Sequence, residues 1–597
     1  MLCFLYDEGK IRQNKLIYKV ILRSSKMTKL GLKANFFCLL NFSTLVGMML
    51  SAQVVSAQQL PPSVDPGRID QDLRPPTPSQ PSDRIEVPDI PDAIAPPGAE
   101  EQRFILESVV VRGATVYDPE VIQGFYKDMI GQEISLADLY DIANAITQRY
   151  RGDGYFLSRA IVPEQIIENG IVTLEVIEGS VERVEFQGAL DKQLQRLQPY
   201  GDRITAAKPI TSRVLERNLL LIGDQAGLSV TSSLGAGSAP GQVLLTVEVD
   251  YDAVSPFASF NNRGTEAVGP LRLQGGMSLN SLLAQGERIL LSANTTPNDI
   301  SELANVQLGV SFPVGYDGLT FDLNSSYTAI RPGDNLRQFD INGNSSNINM
   351  GIAYPLIRSR QRNLYATASF DIFNSKTTVG LPTSATISQD RLRVIRLGLN
   401  GDMSDPNGVT FASARLSQGI GGLGATRTGT PDAPLSRADG VADFTTLNIN
   451  FSRLQRLPEQ FNFLFSGNAQ ITRSALLSSE RFGLGGVSLG SAFDSSQITG
   501  DSGYGLRVEL QRPFFYQRGE MNLSTQPYVF ADYGQVFNIN PSAAEQGTDS
   551  LGSAGFGLRQ SFADWGNVSV ELAFPTVSPS NDQNAGTRLF FGVNLTY

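Results

Sequence analysis

The chain closes on Thr587-Arg588-Leu589-Phe590-Phe591-Gly592-Val593-Asn594-Leu595-Thr596-Tyr597, in which every second residue (Leu589, Phe591, Val593, Leu595, Tyr597) is bulky and apolar. Between them stand Arg588, Phe590, Gly592, Asn594 and Thr596, mostly polar or small. Side chains alternate across a strand, so one face suits lipid and the other a wet interior. An aromatic residue just before the terminal carboxylate is expected at a membrane interface, where aromatic girdles sit. This is the pattern of an outer-membrane β-barrel closing on itself.

The same period returns upstream. Leu319, Phe321, Leu323, Tyr327 and Ala329 alternate with Thr320, Asp322, Asn324, Ser326 and Thr328, and Ile289, Leu291 and Ala293 form another run. Past the leader there is no apolar run of ~18 residues, which excludes a helical membrane protein. A large soluble sandwich or barrel would alternate too, and alternation alone does not separate the two.

Both cysteines, Cys3 and Cys38, fall in the leader, which suits export through an oxidising compartment. Histidine is absent, and with it the commonest general base, the commonest metal ligand and every Ser-His arrangement. The chain is therefore read as no enzyme, with no cofactor and no metal site. Met27, Lys29 and Lys33 precede a largely apolar stretch from Phe36 to Leu50, followed by Val55-Ser56-Ala57. These are the three parts of a signal peptide, with the start expected at Met27 and the cut after Ala57. Residues 1–57 carry eight basic and two acidic groups, so their removal takes the formal net charge from −11 to −17. Nucleic acid is a poor partner for such a chain.

Residues 58–102 are rich in Pro, Asp and Ser and read as an extended linker, in which Asp65 to Leu73 has the makings of a short helix. A small α+β module is expected over 103–180. Leu106, Val109 and Val111 give a strand closing on Gly113. Asp118-Pro119 opens a helix carrying Val121, Ile122, Phe125 and Met129 and stopping at Gly131. Ser135 and Asp138 form a capping box for a second helix, and strands follow at Ala160–Pro163 and Ile171–Glu178. A second module, 181–252, opens on Val181 to Phe186, has a helix through Val214, Leu215, Leu219 and Leu220, and ends on Val243 to Val249. Tandem modules of this size between a leader and a barrel suggest docking. Residues 253–597, at roughly 20 to 22 per strand and connection, make about 16 strands, wide enough for an aqueous lumen.

Together these features resemble the TpsB family (ShlB/FhaC/HecB type), the outer-membrane transporters of two-partner secretion, within the assembly-factor superfamily that includes BamA. The two modules resemble POTRA domains in Phe104 to Val109, in Gly154-Tyr155 through Ala160 to Gln165, and in Leu219-Leu220-Leu221 leading to Gly227-Leu228. The barrel resembles the family at Phe260-Asn261-Asn262-Arg263-Gly264, Tyr354 to Arg360 and Glu571 to Pro575. The fold implied is mainly β, a transmembrane antiparallel barrel after two POTRA modules. In the family a segment like Asp65–Leu73 lodges in the barrel as a plug.

The superfamily also folds a loop into the lumen with Val-Arg-Gly-Phe or Tyr at its tip. The corresponding segment here runs through Phe482, Gly483, Leu484, Gly485 and Gly486, then Gly490, Ser491, Ala492, Phe493 and Asp494, then Gly500, Asp501, Ser502 and Gly503. Ser491 stands where the family has arginine, and Ala492 where it has glycine. The family's arginine pairs with the aspartate of an F-x-D motif, present here as Phe530-Ala531-Asp532. Alternation turns Tyr528, Phe530 and Asp532 to one face, toward the lumen. Without its arginine, Asp532 is left with another cation, hydrogen bonds from Ser491 or backbone amides, or water. The expectation is a loop held by hydrogen bonds rather than by an ion pair. Arg358, Arg360 and Arg362 are expected solvated, along the lumen or a periplasmic turn. A glycine-rich phosphate loop at Gly483–Gly486 is rejected for want of a following lysine and helix.

What the resemblance implies is export of one large TpsA-type exoprotein, a haemolysin or adhesin, bound by the POTRA modules in the periplasm. Outer-membrane lipid surrounds the barrel, and Phe591, Leu595 and Tyr597 form the C-terminal signal for the barrel-assembly machinery. The alternatives are a BamA-type insertase, a passive porin and a barrel enzyme. More POTRA modules and an intact loop arginine would mark the first, tandem docking modules have no purpose in the second, and the third fails on the missing histidines.

Overall fold

The computed structural model describes residues 61–73, 84–85, 92–188, 191–519, 521–543, 545–563, 565–583 and 585–596. Met27, the cut at Ala57 and Tyr597 lie outside the described residues.

The antiparallel wall runs from Val254–Asn261 to Arg588–Thr596 and closes where Phe257 to Asn261 pair with Thr596 to Gly592. Ser502–Gln511 and Phe514–Arg518 both pair with Met521–Phe537 in one continuous register, so they are a single strand broken at Pro513, which cannot donate to the ladder. The wall is thus sixteen-stranded. Its faces are inverted relative to a soluble core. Along Ile341–Arg358, Ser345 and Asn347 are buried while Ile348 and Ile352 are 40% and 48% exposed. Apolar side chains that gain nothing from water thus point outward, as lipid requires. Among the described residues no helix is long and apolar enough to cross a membrane.

In the first module, Ser108–Arg112 pairs in parallel with Ile171–Ile177, which pairs antiparallel with Arg159–Ile161. Helix Leu136–Gly152 lies on this sheet, burying Leu139, Ile142, Ala143, Ile146 and Tyr150. Its capping box is formed as read: Ser135 accepts from the Asp138 amide at 3.1 Å and Asp138 accepts from the Ser135 amide at 2.7 Å. The first helix differs. It spans only Pro119–Gln123, Asp118 makes no side-chain cap, and a separate 3-10 turn, Lys127–Met129, carries the chain to Gly131. Glu178 ends the module by accepting from the amides of Thr115 (2.6 Å) and Val116 (3.0 Å), the Thr115 hydroxyl and Tyr150 (2.7 Å). Burial raises its carboxyl, but these donors outweigh that and hold it below the usual carboxylate value.

The second module has strands Ser180–Gln187, Leu228–Ala236 and Gln242–Tyr251 and two helices, Asp191–Ala206 and Ser212–Gly223. Sequence reading missed Asp191–Ala206, whose interior Pro199 argues against a helix. It also missed the linker's part in this sheet. Arg84–Ile85 pairs in parallel with Thr231 and Ser232, on the outer edge of Leu228–Ala236.

Of the three arginines expected to be solvated, Arg360 and Arg362 are exposed and Arg358 is not. Arg358 reaches Asp224, just past helix Ser212–Gly223, at 2.9 and 2.6 Å, and Arg360 reaches Glu216 within that helix at 2.9 Å. Arg358 is almost fully buried, and a bidentate guanidinium–carboxylate pair is rigid in plane and distance, so the second module is fastened to the turn at this end of the wall.

Candidate functional site

Between strands Asn462–Thr472 and Ser502–Gln511 the chain leaves the wall and folds into the barrel. A hairpin, Phe482–Leu484 with Ile498–Gly500, stiffens the excursion. At its tip Gly485 has φ +115°, and a Cβ there would lie 2.0 Å from the Asp494 carbonyl oxygen, so only glycine closes this turn. Leu484, Leu489, Phe493 and Ile498 are buried against Tyr528, Phe530, Val536, Leu551, Ala573 and Phe590 of the wall. The wall is shaped for them. Gly505 and Gly534 face each other across neighbouring strands, and a Cβ on either would stand 2.3 Å from Leu489 or 2.6 Å from Leu484.

The F-x-D aspartate meets the tip. Asp532 accepts from the Gly490 amide (2.9 Å) and from the amide and hydroxyl of Ser553 (3.1 and 2.6 Å), and the Ser491 amide lies at 3.5 Å. A cation is also present, one of the alternatives left for Asp532, and it comes from the wall; the loop's own ion pair with the wall is made by Asp494 and Arg588, which corrects the expectation of a loop held by hydrogen bonds rather than by an ion pair. Arg507, from the wall strand Ser502–Gln511, places Nη1 2.6 Å from Ser491 Oγ and 3.3 Å from Asp532 Oδ2. Ser491 therefore accepts a bond from a wall arginine instead of supplying one. Arg507 also reaches Glu509 at 2.8 Å and Glu571 at 3.2 Å and lies 4.1 Å over the Phe530 ring. Arg559 joins at Glu509 (3.0 Å), and Arg263 at Glu571 (2.8 Å), with Tyr528 donating to Glu571 at 2.8 Å. Three arginines thus face three carboxylates on the inner wall. Two of the family-like stretches, at Arg263 and Glu571, meet in this cluster.

The other site residues scatter. Gly485, Gly486, Gly490, Ser491, Ala492 and Phe493 form the tip, with Ala492 and Phe493 almost fully buried, and Asp494 pairs with Arg588 of the last strand. Gly500 and Asp501 lie at the loop's root, where Asp501 holds Arg437 at 2.7 and 2.9 Å, and Gly503 belongs to the wall. Phe591 and Leu595 face outward, Phe591 with its ring 5.6 Å from that of Phe260. Asn262 extends the closing seam, its side chain donating to Leu589 and accepting from Phe591. Arg507 was the residue missed. Its signal is visible: Arg507, Glu509 and Gln511 alternate with Leu506, Val508 and Leu510, a charged face on a strand whose other face is for lipid.

A second body fills the remaining space. Helix Pro66–Asp72 begins as its sequence suggests, with Asp65 accepting from the amides of Gly67 (2.8 Å) and Arg68 (3.1 Å) and Pro66 in the first turn. One side meets the wall: Asp70 accepts from Thr328 (2.9 Å), Ser345 donates to the Pro66 carbonyl (3.0 Å), and Val64 and Ile69 pack with Val268, Leu303 and Ile330. The other side meets the loop. Arg68 donates to the carbonyls of Ser478 (2.7 Å) and Arg481 (3.0 Å) and to Ser496 Oγ (2.9 Å), Gln71 donates to Ser479, and Ser495 donates to Asp72. Wall, helix, loop and opposite wall form an unbroken line of contacts across the lumen.

Comparison with known proteins agrees with this layout. Residues 242–560 match the family described as haemolysin secretion/activation protein ShlB/FhaC/HecB, and residues 104–179 match the POTRA domain of ShlB type. The heme/hemopexin transporter protein HuxB of Haemophilus influenzae (strain 86-028NP) is 26% identical over 78% of this chain and 82% of its own length. The hemolysin transporter protein HpmB of Proteus mirabilis is 25% identical over 72% and 75%. In three dimensions CdiB from Escherichia coli superposes with a TM-score of 0.69 at 21% identity, over 85% of this chain and 94% of its own.

Proposed function

The chain belongs to the haemolysin secretion/activation family ShlB/FhaC/HecB, and from that premise we propose that it is the outer-membrane pore through which one large exoprotein, a TpsA-type haemolysin or adhesin, reaches the cell surface. The modules stand in the periplasm, at the end of the wall where Arg358 meets Asp224. The observation that carries the reading is a polar, sixteen-stranded lumen closed by two separate bodies, neither of them part of the wall ladder. A passive porin has no use for such closure beside tandem docking modules.

The periplasm supplies no ATP, so the protein offers binding and a passage. An unfolded passenger adds to a module as a further strand, exchanging water for backbone hydrogen bonds with little demand on sequence. Among the described residues Ser108–Arg112 is an edge of the first module's sheet with no strand beside it, whereas at Arg159–Ile161 the Ala160 amide already donates to Thr147. The Leu228–Ala236 edge of the second is already taken by Arg84–Ile85, on the same linker that carries helix Pro66–Asp72. A passenger strand that claims this edge expels the linker, and the helix leaves the lumen with it. The passage then opens beside the loop, whose displacement completes it. Folding of the passenger outside makes the step irreversible.

The insertase reading draws on one observation, the closing seam, where among the described residues the ladder to the last strand runs from Phe257 to Asn261. Quantitative mass spectrometry of culture medium and outer membrane, with and without the gene, separates the two. Loss of one or two large exoproteins from the medium, with the outer membrane otherwise normal, is expected. A broad fall in other barrel proteins would make the chain an insertase. Deleting residues 60–100 is expected to raise conductance in planar bilayers, and unchanged conductance and secretion would remove the plug role.

A further inference from the structure

The outer face of three neighbouring strands changes character near the end of the barrel remote from the modules. On Ile341–Arg358, Arg362–Val379 and Ala385–Asp405 the inward positions are settled by contacts: Ser345 donates to the plug helix, Arg396 pairs with Asp371 at 2.8 Å and with Glu480 of the loop at 2.6 Å. Alternation then turns the residues between them outward. Met350, Phe370 and Ile395 form one outward row, and Ile352, Ala368 and Leu397 the row below it, as lipid requires. Above them the registers run Ile348–Ile372–Arg393, Ser346–Asn374–Arg391 and Asn344–Lys376–Gln389. The surface passes from hydrocarbon-facing to cationic within two residues of rise. Tyr327, 50% exposed, is paired with Ser346 and marks the same level, as interfacial aromatics do.

Two of these cations are not spent on the protein. Among the described residues neither the Lys376 ammonium nor the Arg391 guanidinium has a hydrogen-bond or ion-pair partner, and both are exposed. Arg393 differs, because all three of its guanidinium nitrogens already donate, to the carbonyls of Leu392 (2.6 Å), Phe373 and Leu423 (both 3.1 Å) and to Asn374 Oδ1 (3.2 Å), so that it contributes charge to the face. The three line an open concavity of about 450 Å³ with Asn344, Ser346 and Asn374. Guanidinium and ammonium groups beside amides and hydroxyls suit a phosphorylated sugar, and the apolar rows beneath suit its acyl chains. We propose that this face is a binding site for the phosphorylated headgroup of the outer-leaflet glycolipid, with Lys376 and Arg391 on its phosphate and the Arg393 charge beside them. The site holds the barrel at a fixed depth and rotation relative to its lipid.

The test uses the full-length protein in detergent and Lys376→Gln/Arg391→Gln, a variant that removes no internal bond. Native mass spectrometry with bisphosphorylated lipid A, its fully dephosphorylated form and inorganic phosphate gives the readout. A one-to-one adduct with bisphosphorylated lipid A is expected for the parent. Binding about tenfold weaker is expected for the variant and for the dephosphorylated lipid, as loss of charge-assisted bonds requires. Equal binding by the variant would overturn the proposal. So would displacement of the lipid by inorganic phosphate at equal phosphate concentration, which would assign the cations to free phosphate instead.

Discussion

The loop and the plug helix occupy one lumen but are held by different forces. The loop buries Leu484, Leu489, Phe493 and Ile498 against the wall, each worth roughly 1.5–3 kcal/mol, and its tip sits over a cluster of buried charges. The helix and the turn before it contribute Ile69 and Val64 to an apolar contact and otherwise depend on hydrogen bonds to charged groups, each worth about 1.5–3 kcal/mol net, for which water or a polypeptide offers the same kinds of partner. A body held by apolar fit is costly to remove wherever it goes. A body held by polar contacts exchanges cheaply once water or a polypeptide enters. On the proposed mechanism the difference orders the opening, with the helix first and the loop second.

The largest effect is expected at the loop's anchor. Arg507→Ala leaves Asp532, Glu509 and Glu571 short of a buried cation and should cost about 3–5 kcal/mol, read as a lower urea midpoint of the barrel in lipid vesicles. Restoring the charge from the loop side, in Arg507→Ser combined with Ser491→Arg, should recover much of that loss. Failure to recover any would mean that Arg507 stabilises the wall and not the loop.

Next comes the fastening of the second module. Arg358→Ala and Asp224→Ala, combined in a double-mutant cycle, should show a coupling of about 1.5–3 kcal/mol in chemical unfolding. Additive losses would mean that the module is held elsewhere. An effect of about 1.5–3 kcal/mol is expected from Arg68→Ala, and its conductance in planar bilayers should rise. Should this variant unfold as readily as Arg507→Ala, the contrast between the two bodies would fail.

The smallest effect concerns pH. The Glu178 carboxyl is held below its unfolded value of 4.5, so the stability that it lends the first module is complete above that pH and is lost as pH falls through the lower folded value. Hydrogen exchange of the Thr115 and Val116 amides should accelerate over that acid range in the parent and be independent of pH there, after correction for intrinsic rates, in Glu178→Gln.

What the sequence made legible was whatever depends on neighbours a few residues away. Alternation marked strands, the Ser135–Asp138 box marked a helix start, and Asp65-Pro66 did the same for the plug helix. Seats were not legible, since they are set by partners far along the chain. Arg68 bonds to Ser478, Arg481 and Ser496, and Arg358 to Asp224, with nothing local to announce either. Asp532 lies between these cases. Alternation correctly turned it inward, but its cation comes from position 507, which the family pattern does not point to and the charged face of that strand does.

The cation that serves Asp532 has a consequence for traffic. It belongs to the barrel, as do all six members of the cluster formed by Arg263, Arg507, Arg559, Glu509, Asp532 and Glu571. When Gly490 and Ser491 withdraw, this cluster keeps its three cations and three anions, while Asp494 leaves with the loop and parts from Arg588 of the last strand. The cluster is electrically balanced without the loop, so a polypeptide sliding past it, acidic or basic, meets neither a trap nor a barrier there, and the charge that the loop's departure bares is that of Arg588 alone.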